Sequence, residues 1–148
     1  MNIGHLLFSF SGRINRGKFW FGYLIGFVLT LLALAVVGTF VPWDQLYVTG
    51  AEGQPVLDAE GNPQIDPAAA GAAILPAVLL GIFALISMYM GFALMVKRCH
   101  DRGKSGWWSL ISLIPLAGFI WVIIDLGVME GDEGPNQWGP NPLGNTVA

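Results

Sequence analysis

A chain of 148 residues has room for a single domain. Apolar residues make up 54% of it and charged residues only 11%, whereas an average soluble domain is about 25% charged. So few charges could not cover the surface of a soluble fold of this size, and the apolar residues fall in blocks along the chain. The composition therefore excludes an ordinary soluble protein and predicts an integral membrane protein.

The first long apolar stretch covers residues 19–41 and contains no charged residue. As a helix it would reach roughly 34 Å, enough to cross the hydrocarbon core with some tilt. Trp20 and Trp43 bracket it as interfacial aromatic residues would. Residues 1–11 carry apolar side chains at helical spacing, which fits either a helix on the membrane surface or a frayed terminus.

A polar connector, residues 42–67, follows the first stretch. It contains an eight-residue repeat, AEGQPVLD at 51–58 and AEGNPQID at 59–66. The Gly-x-Pro steps predict turns, so the two units could pair as a small hairpin, although they cannot build a core by themselves.

The second apolar stretch covers residues 70–96. Its apolar centre begins at Ile74, so Pro76 is expected in the first turn, where a missing N–H is tolerated. Lys97 and Arg98 are expected to end the helix and to open a basic loop, residues 97–106.

The third apolar stretch, residues 107–129, is interrupted by Pro115 and Gly118 and precedes a turn-rich tail, 130–148. We expect three full crossings, and hence an all-α integral membrane protein of three packed transmembrane helices in a single membrane domain. The alternative is a third stretch that is re-entrant, folding back at Pro115 and Gly118. Each arm would then reach roughly 15 Å, about half a bilayer, and would need shielding from lipid by protein.

Charge patterning predicts the orientation. All seven basic residues lie in two clusters, one before the first stretch and one in 97–106, whereas the 42–67 loop holds five acids and no cation. Cytoplasmic loops retain Lys and Arg. The N-terminus and the 97–106 loop are therefore expected in the cytoplasm and the 42–67 loop outside.

Four motifs, taken in order, resemble a known family. They are GRINRGKFW at 12–20, KRCHDRGKSGWW at 97–108, IPLAG at 114–118 and GPNQWGPNP at 134–142. With them the chain resembles the small bacterial inner-membrane proteins called domain of unknown function 805, over nearly its whole length except the 42–67 loop. The resemblance implies a bacterial inner-membrane location and no particular activity.

Candidate binding groups concentrate in the basic loop. They comprise four cations, a histidine and an acid: Lys97, Arg98, His100, Asp101, Arg102 and Lys104. Beside an anionic leaflet each cation contributes roughly 1 kcal/mol of attraction. The loop is therefore either a topology signal alone or a site for an anionic lipid headgroup or phosphate. A P-loop is excluded, because Arg98 stands where the motif needs glycine and no strand precedes it.

No catalytic residue, metal ligand or cofactor is predicted. Cys99, His100 and Asp101 are adjacent, but the only other histidine is His5 and there is no second cysteine. Structural zinc needs about four ligands at workable spacing. Adjacency in sequence does not establish the hydrogen-bond geometry that a nucleophile–base pair requires.

Asp125 is an acid inside an apolar stretch, which marks either a functional intramembrane acid or an interfacial one. A full crossing leaves it without a basic partner, whereas the re-entrant form brings it to the basic cluster. Gly22, Gly26 and Gly81 lie on small-residue stripes, which are expected to pack the spans together or, alternatively, to mediate self-association.

These features predict a non-enzymatic structural, binding or regulatory module whose cytoplasmic basic loop contacts anionic lipid or a partner. The expected partners are membrane lipids, another membrane protein or a second copy of the chain, and not nucleic acid. Two other classes stay open. One is a component of an oligomeric transporter or channel using Asp125, and the other is an enzyme acting on lipid headgroups through His100 and Asp101.

Overall fold

The computed structural model describes residues 2–144, so the last four residues of the predicted tail lie outside the described part. Its first two-thirds contain the α-helices α1 (Ile3–Phe8), α2 (Arg16–Gly38) and α3 (Pro67–Asp101), with a 3-10 helix (Trp43–Gln45) at the start of the connector. Only α2 and α3, among the described residues, are long and apolar enough to cross a membrane. The α-helical membrane architecture is confirmed, while a third full-length crossing is not.

The predicted ends of the second apolar helix are wrong. Proline at the first helical position and an aspartate cap begin α3 at Pro67, because the Asp66 carboxylate accepts the Ala68 N–H at 2.7 Å. Pro76 consequently lies inside the helix rather than in its first turn. Lys97 and Arg98 do not end the helix, which runs on to Asp101.

The third apolar stretch is not one helix. It consists of a 3-10 helix (Gly106–Leu113), a short helix α4 (Ala117–Trp121) and a π-helix (Val122–Val128). Leu116 takes a φ of 62° at the break, and a side chain at Gly118 would meet the backbone of Ile111 and Ser112. The two arms therefore turn tightly on each other, and we call residues 106–128 the hairpin.

The chain divides into two compact units. One contains the residues up to Val28 together with those from Ile86 onward, and the other contains Leu29–Leu85. The first unit holds the principal buried apolar cluster. Its members are Leu6, Leu7, Ile14, Phe19, Met90, Leu94, Met95, Cys99 and Leu126.

Helix α1 is not a frayed terminus but is capped and packed against the rest of the first unit. Asn2 caps it by accepting the Gly4 N–H at 2.9 Å, and Leu6 and Leu7 are buried in the apolar cluster. The Tyr89 hydroxyl donates to the Phe8 carbonyl at 3.1 Å. The N-terminal segment is therefore a packed part of the first unit.

Of the three glycines predicted to pack the helices, one lies at a close contact and the other two have space around them. A Cβ at Gly22 would lie 2.6 Å from Leu94 Cδ2, so this glycine allows α2 to approach α3 closely. A Cβ at Gly26 or Gly81 would have no described atom within 4 Å. Gly22 therefore lies at a close approach of the two helices, while a packing role for Gly26 and Gly81 stays a prediction.

In the second unit the connector forms more than a two-part hairpin. The Val48 N–H donates to the Gln64 carbonyl, Val56 donates to Val48, and Gln64 donates to Val56, at 2.8–2.9 Å. Val48, Val56 and Gln64 are spaced eight residues apart, and Val48 precedes the repeat that is visible in the sequence. A segment before that repeat therefore completes a ring of three hydrogen-bonded segments. The repeat therefore has a third structural unit, which the amino-acid sequence does not show as a repeat.

Candidate functional site

Asp101, the last residue of α3, is the centre of a buried ionic network. Its Oδ1 accepts a hydrogen bond from Arg13 Nε at 3.1 Å, and its Oδ2 accepts one from Arg98 Nη1 on the preceding turn. All three side chains are at most 4% exposed. Buried charges are tolerated only when they are paired, so the two guanidinium groups and the carboxylate depend on one another.

Three arginines hold the returning arm of the hairpin by its backbone. Their contacts are Arg98 with the carbonyls of Leu126 (2.7 Å) and Met129, Arg16 with that of Val128 (2.9 Å), and Arg102 with that of Glu130 (2.6 Å). Carbonyl groups at a helix C-terminus lack intrahelical partners and carry partial negative charge. The arginines therefore cap the π-helix and the residues just after it.

Asp125 lies on the returning arm and faces the basic segment, residues 97–106, which leads into the hairpin. Its Oδ1 accepts from Lys104 Nζ at 2.7 Å and from Arg102 Nη2 at 3.0 Å. Lys104 also lies 5.5 Å from the centre of the Trp108 ring. Both ends of the hairpin thus meet in one cluster, which is the arrangement that the re-entrant alternative requires.

The tail returns to the same cluster. Arg13 donates to the carbonyls of Asp132 and Gly134, both at 2.7 Å. The Asn136 amide donates to the His100 carbonyl at 2.8 Å, and the Trp138 ring stacks on the His100 imidazole with centres 4.8 Å apart. The tail is therefore folded against α3 through residue 139.

Lys97 and His100 contribute to packing of the N-terminal segment. Lys97 Nζ donates to the carbonyls of His5 (2.9 Å) and Leu6, near the end of α1. His100 Nδ1 lies 3.2 Å from the Gly12 carbonyl oxygen. Cys99, which lies between these two residues in the sequence, is fully buried. The contacts of Lys97 and His100, and the burial of Cys99, therefore fit a packing role for these side chains.

The six residues predicted in the basic segment have partners in the N-terminal segment, the hairpin and the tail, and Asp125 pairs with two of them, Arg102 and Lys104. The expectation of a loop over residues 97–106 is wrong for its first half, since α3 continues to Asp101 and both Lys97 and Arg98 are buried, at 1% and 0% exposed. Their donors contact backbone carbonyls and Asp101. The more open members are Arg102 and Lys104, whose side chains are 16% and 28% exposed.

Sequence reasoning missed Arg13 and Arg16 as members of the site. Both belong to the basic cluster before the first span, but their positive charge alone does not indicate which groups they bind. Their partners are mostly backbone carbonyls in the tail and hairpin, and such acceptors carry no sequence signature. Only the motif order, with basic residues before α2 and Gly-Pro-Asn after the hairpin, marks the segments that meet.

A cavity of about 380 Å³ opens beside the network. It is lined by residues from the start of α2, the end of α3 and the tail: Asn15, Arg16, Arg98, Asp101, Glu130, Gly131, Asp132, Glu133, Asn141 and Leu143. Two guanidinium groups and four carboxylates therefore face one space. Between residues 2 and 144 no group of three or more His, Cys, Asp or Glu is placed to hold a metal ion.

Comparison with known proteins gives one family. The profile of the family described as protein of unknown function (DUF805) matches residues 7–140. Inner membrane protein YhaH of Escherichia coli K12 is 26% identical over 90% of this chain and 87% of its own length. Uncharacterized protein YiiR of the same strain is 28% identical over 94% and 89%. No solved structure matches the chain.

Proposed function

Because the chain belongs to the DUF805 family, we propose that it is an inner-membrane module with two spans and a re-entrant hairpin, with its N-terminus in the cytoplasm. Its role is non-enzymatic: it contacts anionic lipid at the cytoplasmic face through cations that the buried network leaves partly exposed. The observation that carries the proposal is the pairing of Asp125 with Arg102 and Lys104 across the two ends of the hairpin.

The dimensions of the hairpin support re-entry. A 3-10 arm of eight residues reaches roughly 16 Å and the returning arm roughly 18 Å, about half of the hydrocarbon thickness. Leu113, Leu116 and Phe119 near its turn are each more than 60% exposed, which suits contact with acyl chains. The amides of Ala117 and Gly118 find acceptors inside the turn, so the bend does not expose them unsatisfied to lipid.

Charge distribution supports the orientation. The first unit contains all seven Lys and Arg residues with five carboxylates, whereas the second contains five carboxylates and no cation. Segments rich in Lys and Arg stay in the cytoplasm. The first unit therefore has two more positive than negative side chains, which also favours attraction to an anionic leaflet.

Burial selects the cations that can serve this contact. Lys97 and Arg98 are enclosed, whereas the Arg16 side chain is 47% exposed and that of Lys104 is 28% exposed. Lys18 is half-buried on the first turn of α2. We therefore assign anionic-lipid contact to Lys18 and Lys104, while Arg16 lines the neighbouring cavity and the buried members of the basic segment maintain the fold.

The test is the amount of phosphatidylglycerol that co-purifies with the protein at low and high salt. A Lys18→Gln/Lys104→Gln variant removes two partly exposed cations and should retain several-fold less lipid, with the difference shrinking as salt screens the attraction. The control is Glu52→Gln/Glu60→Gln, which changes two exposed charges in the connector. Equal lipid in all three proteins at both salts would overturn the lipid-contact proposal.

A further inference from the structure

We propose that the 380 Å³ cavity beside Arg16 and Asp101 binds a phosphoethanolamine group, held as the headgroup of an aminophospholipid. The inference rests on the membrane placement proposed above but concerns a different site and a different lipid. Four carboxylates and two guanidinium groups give the lining an excess of two negative charges. A purely anionic ligand would be repelled by that excess, whereas a zwitterion has a charge for each kind of side chain.

The entrance of the cavity contains an ion pair that such a ligand can replace. Arg16 Nη2 lies 3.0 Å from Glu130 Oε1, and these side chains are 47% and 79% exposed. Ion pairs this exposed contribute little stability, because water competes for both partners. A ligand that brings a phosphate to Arg16 and an ammonium to Glu130 keeps each charge paired as it enters.

The acceptors around Glu130 favour a primary amine. Asp132 and Glu133 are exposed and line the same space, so several carboxylate oxygens can accept from one ammonium group. A primary ammonium has three N–H donors, whereas the trimethylammonium of a choline headgroup has none. The expected order is therefore phosphatidylethanolamine above phosphatidylcholine, with phosphatidylglycerol lowest.

The position of the cavity favours a lipid over a soluble ligand. Arg16 is the first residue of α2, and Glu130 follows the π-helix by two residues, so both lie where apolar segments meet polar ones. Val128, whose carbonyl accepts from Arg16, is 59% exposed, and Leu143 contributes an apolar wall. A headgroup in the cavity would leave its acyl chains beside this apolar surface.

The experiment measures lipid retained on the intact, detergent-solubilised protein by native mass spectrometry after exposure to an equimolar mixture of the three lipids. Preferential retention of one phosphatidylethanolamine is expected. Arg16→Gln and Glu130→Gln should each reduce it roughly tenfold, the scale of a charge-assisted hydrogen bond. Glu60→Gln, which neutralises an exposed acid of the connector that does not line the cavity, should leave it unchanged.

Retention of phosphatidylethanolamine no greater than that of phosphatidylcholine, or phosphatidylethanolamine retention unaffected by both cavity variants, would overturn the inference. Soluble phosphoethanolamine is the second arm. If it binds and is lost in the same variants while no lipid is retained, the recognised group is right and the lipid source is wrong. The proposed function fails independently, because phosphatidylglycerol association depends on Lys18 and Lys104 rather than on Glu130.

Discussion

Arg98 comes just after the second apolar stretch in the sequence, and its side chain is a structural element of the fold. Its guanidinium group is fully buried, pairs with Asp101 and caps the hairpin at Leu126 and Met129. Neutralising it leaves a buried carboxylate with one partner fewer and two carbonyls without donors. Arg98→Gln is therefore expected to lower the free energy of unfolding by about 3–5 kcal/mol.

Thermal unfolding of the solubilised protein checks this expectation. Lys18→Gln serves as the control, because it removes the same charge from a half-buried position on α2. Its unfolding temperature should stay close to that of the wild type. Similar unfolding temperatures for the two variants would show that the Arg98 contacts contribute little to stability.

Gly22 gives a second residue-scale prediction, with a control on the same helix. A Cβ at Gly22 would overlap the side chain of Leu94, which is buried in the apolar cluster, so Gly22→Ala should force that side chain or the helices to shift and cost about 1–3 kcal/mol. Gly26→Ala enters open space and should be neutral or slightly stabilising, since alanine favours helix. Unfolding temperatures distinguish the positions, and a larger loss for Gly26→Ala would contradict the packing described.

The hairpin depends on contacts with other segments of the chain, which its own short helices do not supply. Its arms are 3-10, α and π in turn, and irregular helices of this kind need tertiary support. Arg98, Arg16 and Arg102 provide that support by capping the returning arm. The position of the break could be predicted from Pro115 and Gly118, but the helix types could not.

Asp125→Asn tests that support. The variant removes the charge that Arg102 and Lys104 share, and because those partners are partly exposed the expected cost is roughly 1–2 kcal/mol. Hydrogen exchange should accelerate across residues 106–128 more than across α2. Glu133→Gln, an exposed acid on the cavity rim, is the control. Unchanged exchange in the hairpin of Asp125→Asn would show that the ion pairs do not hold it.

At the scale of the whole molecule, a re-entrant hairpin and a third crossing differ in where the tail lies. Cysteines placed at the exposed positions Gln54 and Gln137 report on the connector and the tail. We expect Gln54→Cys to be labelled from outside intact cells and Gln137→Cys only after permeabilisation. Native Cys99 is buried and should contribute little background. External labelling of Gln137→Cys would establish a third crossing instead.

The sequence by itself determined the membrane class, the two long spans, the position of the break in the third stretch and the family. These follow from local properties: apolar runs, Pro and Gly at one place, and motifs in order. It also marked six residues of the basic segment and Asp125 as the chemically dense part of the chain. Charges in apolar surroundings are costly, so their presence alone indicates a role.

Only the tertiary structure decided what those charges do. Lys97 and Arg98 look like residues that end a span, yet both are enclosed and face carbonyls or Asp101. Their acceptors are largely backbone groups from α1, the hairpin and the tail, and every residue carries such a carbonyl whatever its side chain. A pattern of side chains therefore cannot specify which carbonyl an arginine will cap. That choice is made when the segments pack and each buried charge must find a partner.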